Sequence, residues 1–377
     1  MKIIVSATLG GGSAGTWYAI ETAKRLQARG HQLWYLSRSG HSALERARSA
    51  GLTTVDNIDL EGKSLSQTRR HVRDLTALAR LHTPDVVLAH GGEDHLFWAL
   101  ARKLHHLKFK LVRVRALDPK PPKKHLFARW LHRRATDFIV TANSRHFAAY
   151  HDRLRLPVER LRIIEAGIDP ADFADTSDAA MAQNGLSLPA GKPIVVMVAR
   201  FATIKGHRVL LSAAGMLKRR GVNCHLLWVG YPKEYPAEML QRWLVEANLL
   251  KEVTIIDKRL PQLPALLARC QLGVIASVGS ETVSRSLLEY FACGLPVVAT
   301  DVGGIPDLMG RGDFGRLVPP DNATALADGI ADLLSDDQRR LAMGLRAREY
   351  VFTNCTWDQR TDQWEQLLKE LVPAQRL

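Results

Sequence analysis

The sequence predicts an α/β protein with two doubly wound parallel sheets, and three observations carry that reading. Short apolar runs alternate with stretches of helical period along the whole chain. The 377 residues exceed what a single hydrophobic core usually organises. The alternation halts at residues 169–192, rich in Ala, Asp, Pro, Gly and Ser, and then begins again.

In the first half the expected strands are Lys2–Ala7, Leu33–Ser37, Val86–His90, Leu111–Arg115, Phe138–Ala142 and Arg162–Glu165. Between the first two, Trp17, Ile20, Ala23 and Leu26 recur at helical spacing across Thr16–Arg29, and Gly30 supplies the stop. In the second half the expected strands are Pro193–Val198, His225–Val229, Val253–Ile256, Leu272–Ala276 and Val297–Ala299. A helical stretch from about Asp336 to Leu371 closes the chain. The domain plan is therefore 1–173, a linker at 174–192, 193–350, and a C-terminal helix at 351–377 that returns to the first domain.

The most informative stretch is 277–307. After the run Leu272–Ala276, a loop carries Glu281, a helix-period segment carries Glu289 and stops at Gly294, and Pro296 opens the next apolar run. Gly294 suits the position after a helix end, where positive φ is favoured. Acids placed in such a strand–loop–helix–strand unit sit at the carboxyl edge of the strands, where open α/β sheets bind ligands.

Composition narrows the partners. Residues 1–173 hold 29 Lys and Arg against 16 acids, whereas residues 174–377 hold 23 against 22. The region 100–135 holds 12 cations and one acid, Asp118. Such asymmetry points to an acidic partner for the first half: a membrane surface, a phosphorylated acceptor or nucleic acid. No run of about 18 apolar residues offers a membrane span, and the N-terminus reads as a strand rather than a signal peptide. Cys224, Cys270, Cys293 and Cys355 form no Cys-x-x-Cys pair, so metal and disulfide readings are weak and a cytoplasmic location is expected.

Gly10-Gly11-Gly12-Ser13 follows the first strand but lacks a full Gly-x-Gly-x-x-Gly. Arg38, not an acid, follows the second strand, which argues against a dehydrogenase. Arg200 and Lys205 follow the strand Pro193–Val198 directly. Arginine offers a fork for two phosphate oxygens and lysine a mobile point charge. Beside Gly206 and the later acids, a phosphate role outweighs that of two solvated loop cations. Glu289 lies among Leu287, Leu288 and Phe291, not on a plainly polar face, and suits the hydroxyls of a ribose.

These segments resemble glycosyltransferase family 4, the retaining family with the GT-B fold of two Rossmann-like domains facing a cleft. The resemblance rests on Glu281-x7-Glu289 with its flanks Gly294-x-Pro296-Val-Val-Ala-Thr and Gly303-Gly304-x-Pro306-Asp307. It extends to Arg200-x4-Lys205-Gly206, Asp85-Val-Val-Leu-Ala-His90, Ile163-Ile-Glu-Ala-Gly167-Ile-Asp169 and Gly315-Arg-Leu-Val-Pro-Pro-Asp321. It implies that Glu281 meets donor-sugar hydroxyls and that His90 lies near the reacting centre, the two catalytic candidates. It also implies that the backbone at Thr282, Val283 and Ser284 faces the donor. Here the chain departs from the family, which usually has Phe-Gly where Val283-Ser284 stand. Gly11, Gly12 and Ser13 would form a loop near phosphate and acceptor.

The run from Pro119 to Arg134 sets Leu126, Phe127, Trp130 and Leu131 at helical spacing among cations. A basic amphipathic helix suits an anionic bilayer; an ordinary helix burying Phe127, Trp130 and Leu131 is the competing reading. Lys123, Lys124, Trp130, Arg133 and Arg134 are the membrane candidates. Arg113 and Arg115 alternate on a strand and could face a phosphorylated acceptor.

The expected function is transfer of a sugar, with retention, from a nucleoside diphosphate sugar to a lipid-linked or lipopolysaccharide-core acceptor. The enzyme is expected at the inner face of the cytoplasmic membrane. No Asp-x-Asp metal motif is present, and Arg200 and Lys205 can replace a divalent cation, so no metal cofactor is expected. A nucleotide-sugar epimerase or hydrolase is the alternative. A nucleic-acid-binding protein would account for the charge but not for the second half.

Overall fold

The computed structural model describes residues 1–8, 13–38, 40, 42–62, 64–116, 120–279 and 281–373. The chain divides into two compact units, Met1–Ala166 with Trp357–Leu377, and Gly167–Thr356.

In the first unit the elements run β1 (Lys2–Ser6), α1 (Ala14–Ala28), β2 (Gln32–Leu36), α2 (Ser42–Ser49), β3 (Thr54–Val55), α3 (Leu65–His82), β4 (Val86–Ala89), α4 (Gly92–Leu104), β5 (Lys110–Arg115), α5 (Leu126–Arg133), β6 (Phe138–Thr141), α6 (Ser144–Leu154) and β7 (Leu161–Ile163). The seven strands are parallel, in the order β3-β2-β1-β4-β5-β6-β7. Strand order reverses between β1 and β4, which pair Ser6 with Ala89 at their carboxyl ends. Such a reversal leaves a crevice, the usual ligand position in an open α/β sheet. Ile4, Leu36, Val87, Ala89 and Leu111 of the strands pack with Leu75, Leu78, Phe97 and Trp98 of α3 and α4 in the core.

The C-terminal helix Trp357–Leu371 belongs to this unit. Trp17 meets Trp357 edge to face at 5.4 Å, and Arg360 pairs with Glu165 at 3.1 Å, both side chains largely buried. The Tyr18 hydroxyl donates to the Ile164 carbonyl at 2.8 Å.

The second unit contains α7 (Asp178–Ala182), β8 (Ile194–Val198), α8 (His207–Arg219), β9 (His225–Val229), α9 (Ala237–Glu246), β10 (Val253–Ile256), α10 (Leu263–Leu267), β11 (Leu272–Ile275), α11 (Arg285–Ala292), β12 (Val297–Thr300), α12 (Ile305–Met309), β13 (Gly315–Val318), α13 (Ala323–Leu334) and α14 (Asp337–Asn354); the C-terminal helix is α15. Its six parallel strands run β10-β9-β8-β11-β12-β13, reversing between β8 and β11.

Three boundaries differ from the sequence reading. Residues 174–192 are not an open linker. Ala180 and Met181 of α7 are buried, the Asn184 amide donates to the Gln262 carbonyl at 2.8 Å, and Arg269 donates to the Thr176 carbonyl at 3.1 Å. The closing helical stretch is two helices, because the Cys355 backbone leaves helical geometry and its carbonyl accepts from the Ile168 N–H at 2.9 Å. Strands β3 and β13, absent from the expected set, flank the two sheets. The first is only two residues long, and the second leaves Arg316 and Leu317 exposed, so neither reads as a buried run.

Candidate functional site

The second unit assembles its polar residues at the strand reversal. Beyond β8, buried Phe201 anchors the chain: its N–H donates to the Tyr231 carbonyl at 3.0 Å. A single tight turn, Thr203–Lys205, then ends at Gly206, whose φ of +73° also starts α8. A Cβ there would lie 1.8 Å from the Ala276 carbonyl oxygen, so only glycine permits this approach of the β8 loop to the end of β11.

That approach brings Lys205 to Glu281. The ammonium is ion-paired with Glu281 Oε1, and the Ser277 hydroxyl donates to the same oxygen at 2.6 Å. The Lys205 and Glu281 side chains are 16% and 13% exposed, so bulk water screens the pair only partly. The Glu281 backbone is clamped from the other side. The Gly304 N–H donates to its carbonyl at 2.8 Å, and a Cβ on Gly303, at φ +58°, would lie 2.2 Å from that oxygen.

After this loop, Thr282, Val283 and Ser284 are buried ahead of α11. Ser284 is left-handed at φ +45°, the region glycine enters most freely. This is where the chain departs from Phe-Gly, and the Ser284 hydroxyl supports the turn by donating to the Glu281 carbonyl at 3.3 Å. Glu289 is buried on the second turn of α11 and accepts from Arg285 Nε at 2.8 Å. Arg200 is half-buried and makes no ion pair or hydrogen bond among the described residues. Its charge, after the hydrogen bonds from Thr203 and the charge of Lys233, helps to hold the Glu234 carboxyl below its usual range.

Sequence reasoning missed the residues that set this geometry. The Val198 N–H donates to the Tyr290 hydroxyl at 2.6 Å, and the Ser286 hydroxyl donates to the Val198 carbonyl at 3.0 Å. Thus α11 fixes the peptide from which the Arg200–Lys205 loop departs. The Tyr290 ring fits because Gly273 has no side chain; a Cβ there would stand 2.6 Å from the ring. Ser277, which follows β11, was missed as well. Its serine at the end of a buried strand was the available signal.

In the first unit His90 follows β4 at the other strand reversal and is 2% exposed. Neither ring nitrogen has a hydrogen-bond partner among the described residues. Burial, then the Arg113 charge, pushes its pKa down to about 3, so the imidazole is neutral at pH 7. It can offer one hydrogen-bond donor and one acceptor, but not a proton store. Asp94 ties the two loops of this reversal together, accepting from the Thr8 N–H at 2.9 Å and the Gly91 N–H at 3.1 Å. Ser13 caps α1, accepting from the Thr16 N–H at 3.1 Å; Gly11 and Gly12 lie outside the described residues.

Arg113 and Arg115, read as able to face a phosphorylated acceptor, lie inside the first unit. Both are buried. Arg113 Nη1 donates to the Ala89 carbonyl at 3.0 Å and the Gly91 carbonyl at 2.6 Å, bracing the backbone on either side of His90. Arg115 donates to the Lys120 carbonyl.

Helix α5 has one face in the core and one face exposed. Ala128 and Leu131 are buried and Trp130 packs on the core. Leu126 is 83% and Phe127 48% exposed, and Lys123, Lys124, Arg129, Arg133 and Arg134 are exposed around them. Among the described residues no helix is long and apolar enough to cross a membrane. Nor do three or more His, Cys, Asp or Glu side chains there gather as a metal site.

Comparison with known proteins agrees with this architecture. A D-inositol 3-phosphate glycosyltransferase of Corynebacterium efficiens is 31% identical over 225 residues, 58% of this chain and 52% of that protein. A GDP-mannose-dependent alpha-(1-6)-phosphatidylinositol monomannoside mannosyltransferase of Mycolicibacterium smegmatis is 29% identical over 238 residues, 61% of this chain and 62% of that one. The chain thus spans only about half to three-fifths of the length of these curated relatives. The structure of Anabaena Alr3699/HepE in complex with UDP and glucose superposes with a TM-score of 0.82 at 20% identity, covering 98% of this chain and all of the other. The fold is GT-B. The profile of Glycosyltransferase Family 4 matches residues 15–172, and that of Glycosyl transferases group 1 matches residues 192–336, a span that holds both the Arg200–Gly206 and the Glu281–Asp307 segments. With its two units matched in turn, the chain belongs to glycosyltransferase family 4.

Proposed function

We propose that this protein transfers a sugar, with retention, from a nucleoside diphosphate sugar to a lipid-linked or phosphorylated saccharide acceptor. The observation that carries this reading is the meeting of Lys205, Glu281 and Ser277 at the β8–β11 reversal. A cation and a hydrogen-bond acceptor side by side match the two halves of such a donor, phosphate and sugar hydroxyls.

As the bond between the anomeric carbon and the diphosphate oxygen breaks, negative charge grows on the phosphate. Lys205, Arg200 and the amino end of α11 would stabilise that charge. The acceptor hydroxyl attacks from the face the diphosphate leaves, and its proton passes to a departing phosphate oxygen. Glu281 is committed to Lys205 and Ser277, so it serves here as a receiver of sugar hydroxyls rather than as a covalent nucleophile. Glu289 would receive the ribose hydroxyls, and neutral His90 would hydrogen-bond near the reacting centre. The names of the relatives support the two substrates: inositol phosphate and a phosphatidylinositol monomannoside appear in two of them, and UDP is bound in the structural neighbour.

The test is transfer from a panel of nucleotide sugars, including UDP-glucose and GDP-mannose, to inositol phosphate and to extracted glycolipid. Because cationic side chains replace the metal in this reading, product formation should persist in excess EDTA. Loss that divalent metal restores would defeat that part. Donor turnover independent of any acceptor would instead indicate a hydrolase or epimerase.

The basic face around α5 would bring the first unit to anionic lipid at the inner face of the cytoplasmic membrane. Each basic residue near the surface contributes about 1 kcal/mol, and the attraction is screened over about 10 Å at 0.1 M salt. The protein should therefore co-sediment with phosphatidylglycerol vesicles at low salt and be released at high salt. Changing Lys123, Lys124, Arg133 and Arg134 together to Glu should abolish this and leave nucleotide binding intact. A wild-type protein that ignores such vesicles at low salt would overturn the membrane assignment.

A further inference from the structure

We propose that Lys205, Glu281 and Ser277 form a product-release latch, in which Glu281 reclaims the Lys205 ammonium once the sugar has left the diphosphate. This rests on the donor-site reading above and adds a step to it.

The two members of the ion pair differ in freedom. Glu281 is fixed at both ends. Its carbonyl accepts from Gly304, and its carboxylate accepts from Ser277, a residue only 1% exposed whose own carbonyl accepts from the Thr300 hydroxyl at 2.7 Å. Lys205 ends a flexible four-carbon stem leaving a one-turn segment. When the pair opens, the ammonium moves and the carboxylate stays.

Opening the pair has different consequences for donor and product. An intact nucleotide sugar brings phosphate for Lys205 and hydroxyl donors for Glu281, so both groups are satisfied. A nucleoside diphosphate brings only phosphate. The Glu281 carboxylate, mostly shielded from water, would then lose its cation and face added negative charge, with Ser277 its remaining donor among the described residues. Leaving a shielded charge without its partner is strongly unfavourable. The latch therefore weakens the product relative to the donor, and closure of the Lys205–Glu281 pair favours product departure. Ser277 is a positioning residue in this scheme, since it denies the carboxylate the alternative of turning to solvent.

The experiment is calorimetric titration of wild type, Glu281→Gln, Ser277→Ala and Lys205→Ala with UDP, UDP-glucose, GDP and GDP-mannose. Melting curves establish that each variant is folded. Glu281→Gln should bind the matching diphosphate about tenfold more tightly than wild type and the sugar donor no more tightly, so the preference for donor over product collapses. Ser277→Ala should shift the same ratio in the same direction by a smaller factor, which a purely structural loss would not do. If Lys205→Ala weakens diphosphate binding while Glu281→Gln leaves it unchanged or weaker, the latch is wrong and the phosphate role of Lys205 survives. If Lys205→Ala leaves diphosphate binding unchanged, the latch and the donor-site assignment both fail.

Discussion

Lys205→Ala is expected to lower kcat/KM for sugar transfer by about 10²- to 10³-fold, the range found when one preorganised stabiliser of developing charge is removed. The effect should be largest in kcat, because the diphosphate gains charge as the bond to the sugar breaks. Removing the ammonium also strips Glu281 of its cation, so the melting temperature should fall by a few degrees. Comparison at matched folded fraction separates the two effects. Arginine at this position should recover only part of the rate, since a planar fork cannot follow a phosphate oxygen as a flexible ammonium does. A variant within threefold of wild type would remove Lys205 from the mechanism.

Gly206→Ala is expected to destabilise the second unit by more than about 4 kcal/mol, the range in which a specific structural cause is required. Two costs add. An alanine at φ +73° pays roughly 1–2 kcal/mol for the left-handed conformation. Its Cβ would also stand 1.8 Å from the Ala276 carbonyl oxygen, a backbone atom that cannot rotate away. Gly221→Ala is the control. Gly221 has φ +69° but nothing within 4 Å of a Cβ, so that variant pays the conformational term alone. Urea denaturation of the two variants should therefore differ by at least about 2 kcal/mol. If they lose stability equally, the close approach of the β8 loop to β11 is not what glycine secures here.

Much of this site was legible because its elements follow strong local rules. Buried parallel strands read as short apolar runs, and the residues just beyond them, Arg200 and Lys205 after β8 and Glu281 after β11, are placed by chain direction alone. Gly294, with φ +71°, marked a helix end that other residues enter at a cost. Weak local signals misled. In α14 and α15 no proline or glycine marks the break, because it comes from the pairing of Ile168 with Cys355 and Thr356, nearly two hundred residues apart in sequence. Arg113 and Arg115 alternate correctly for a strand. Yet every residue of Leu111–Arg115 is buried, so the strand is covered on both faces and alternation could not tell which side met solvent.

The sequence by itself determined the two α/β halves, the strand ends that carry the candidate site, and the chemical groups available there: two cations, two acids and a histidine. Those depend on local periodicity and on chain direction. Only the tertiary structure decided how the groups are spent. It turned Arg113 inward to brace the backbone on either side of His90, buried and neutralised the His90 ring, exposed Leu126 and Phe127 while burying Leu131, and closed Lys205 onto Glu281. Pairing and burial depend on residues far apart in the chain. The Lys205–Glu281 contact spans 76 positions, and its formation rests on Gly206 lacking a side chain beside Ala276.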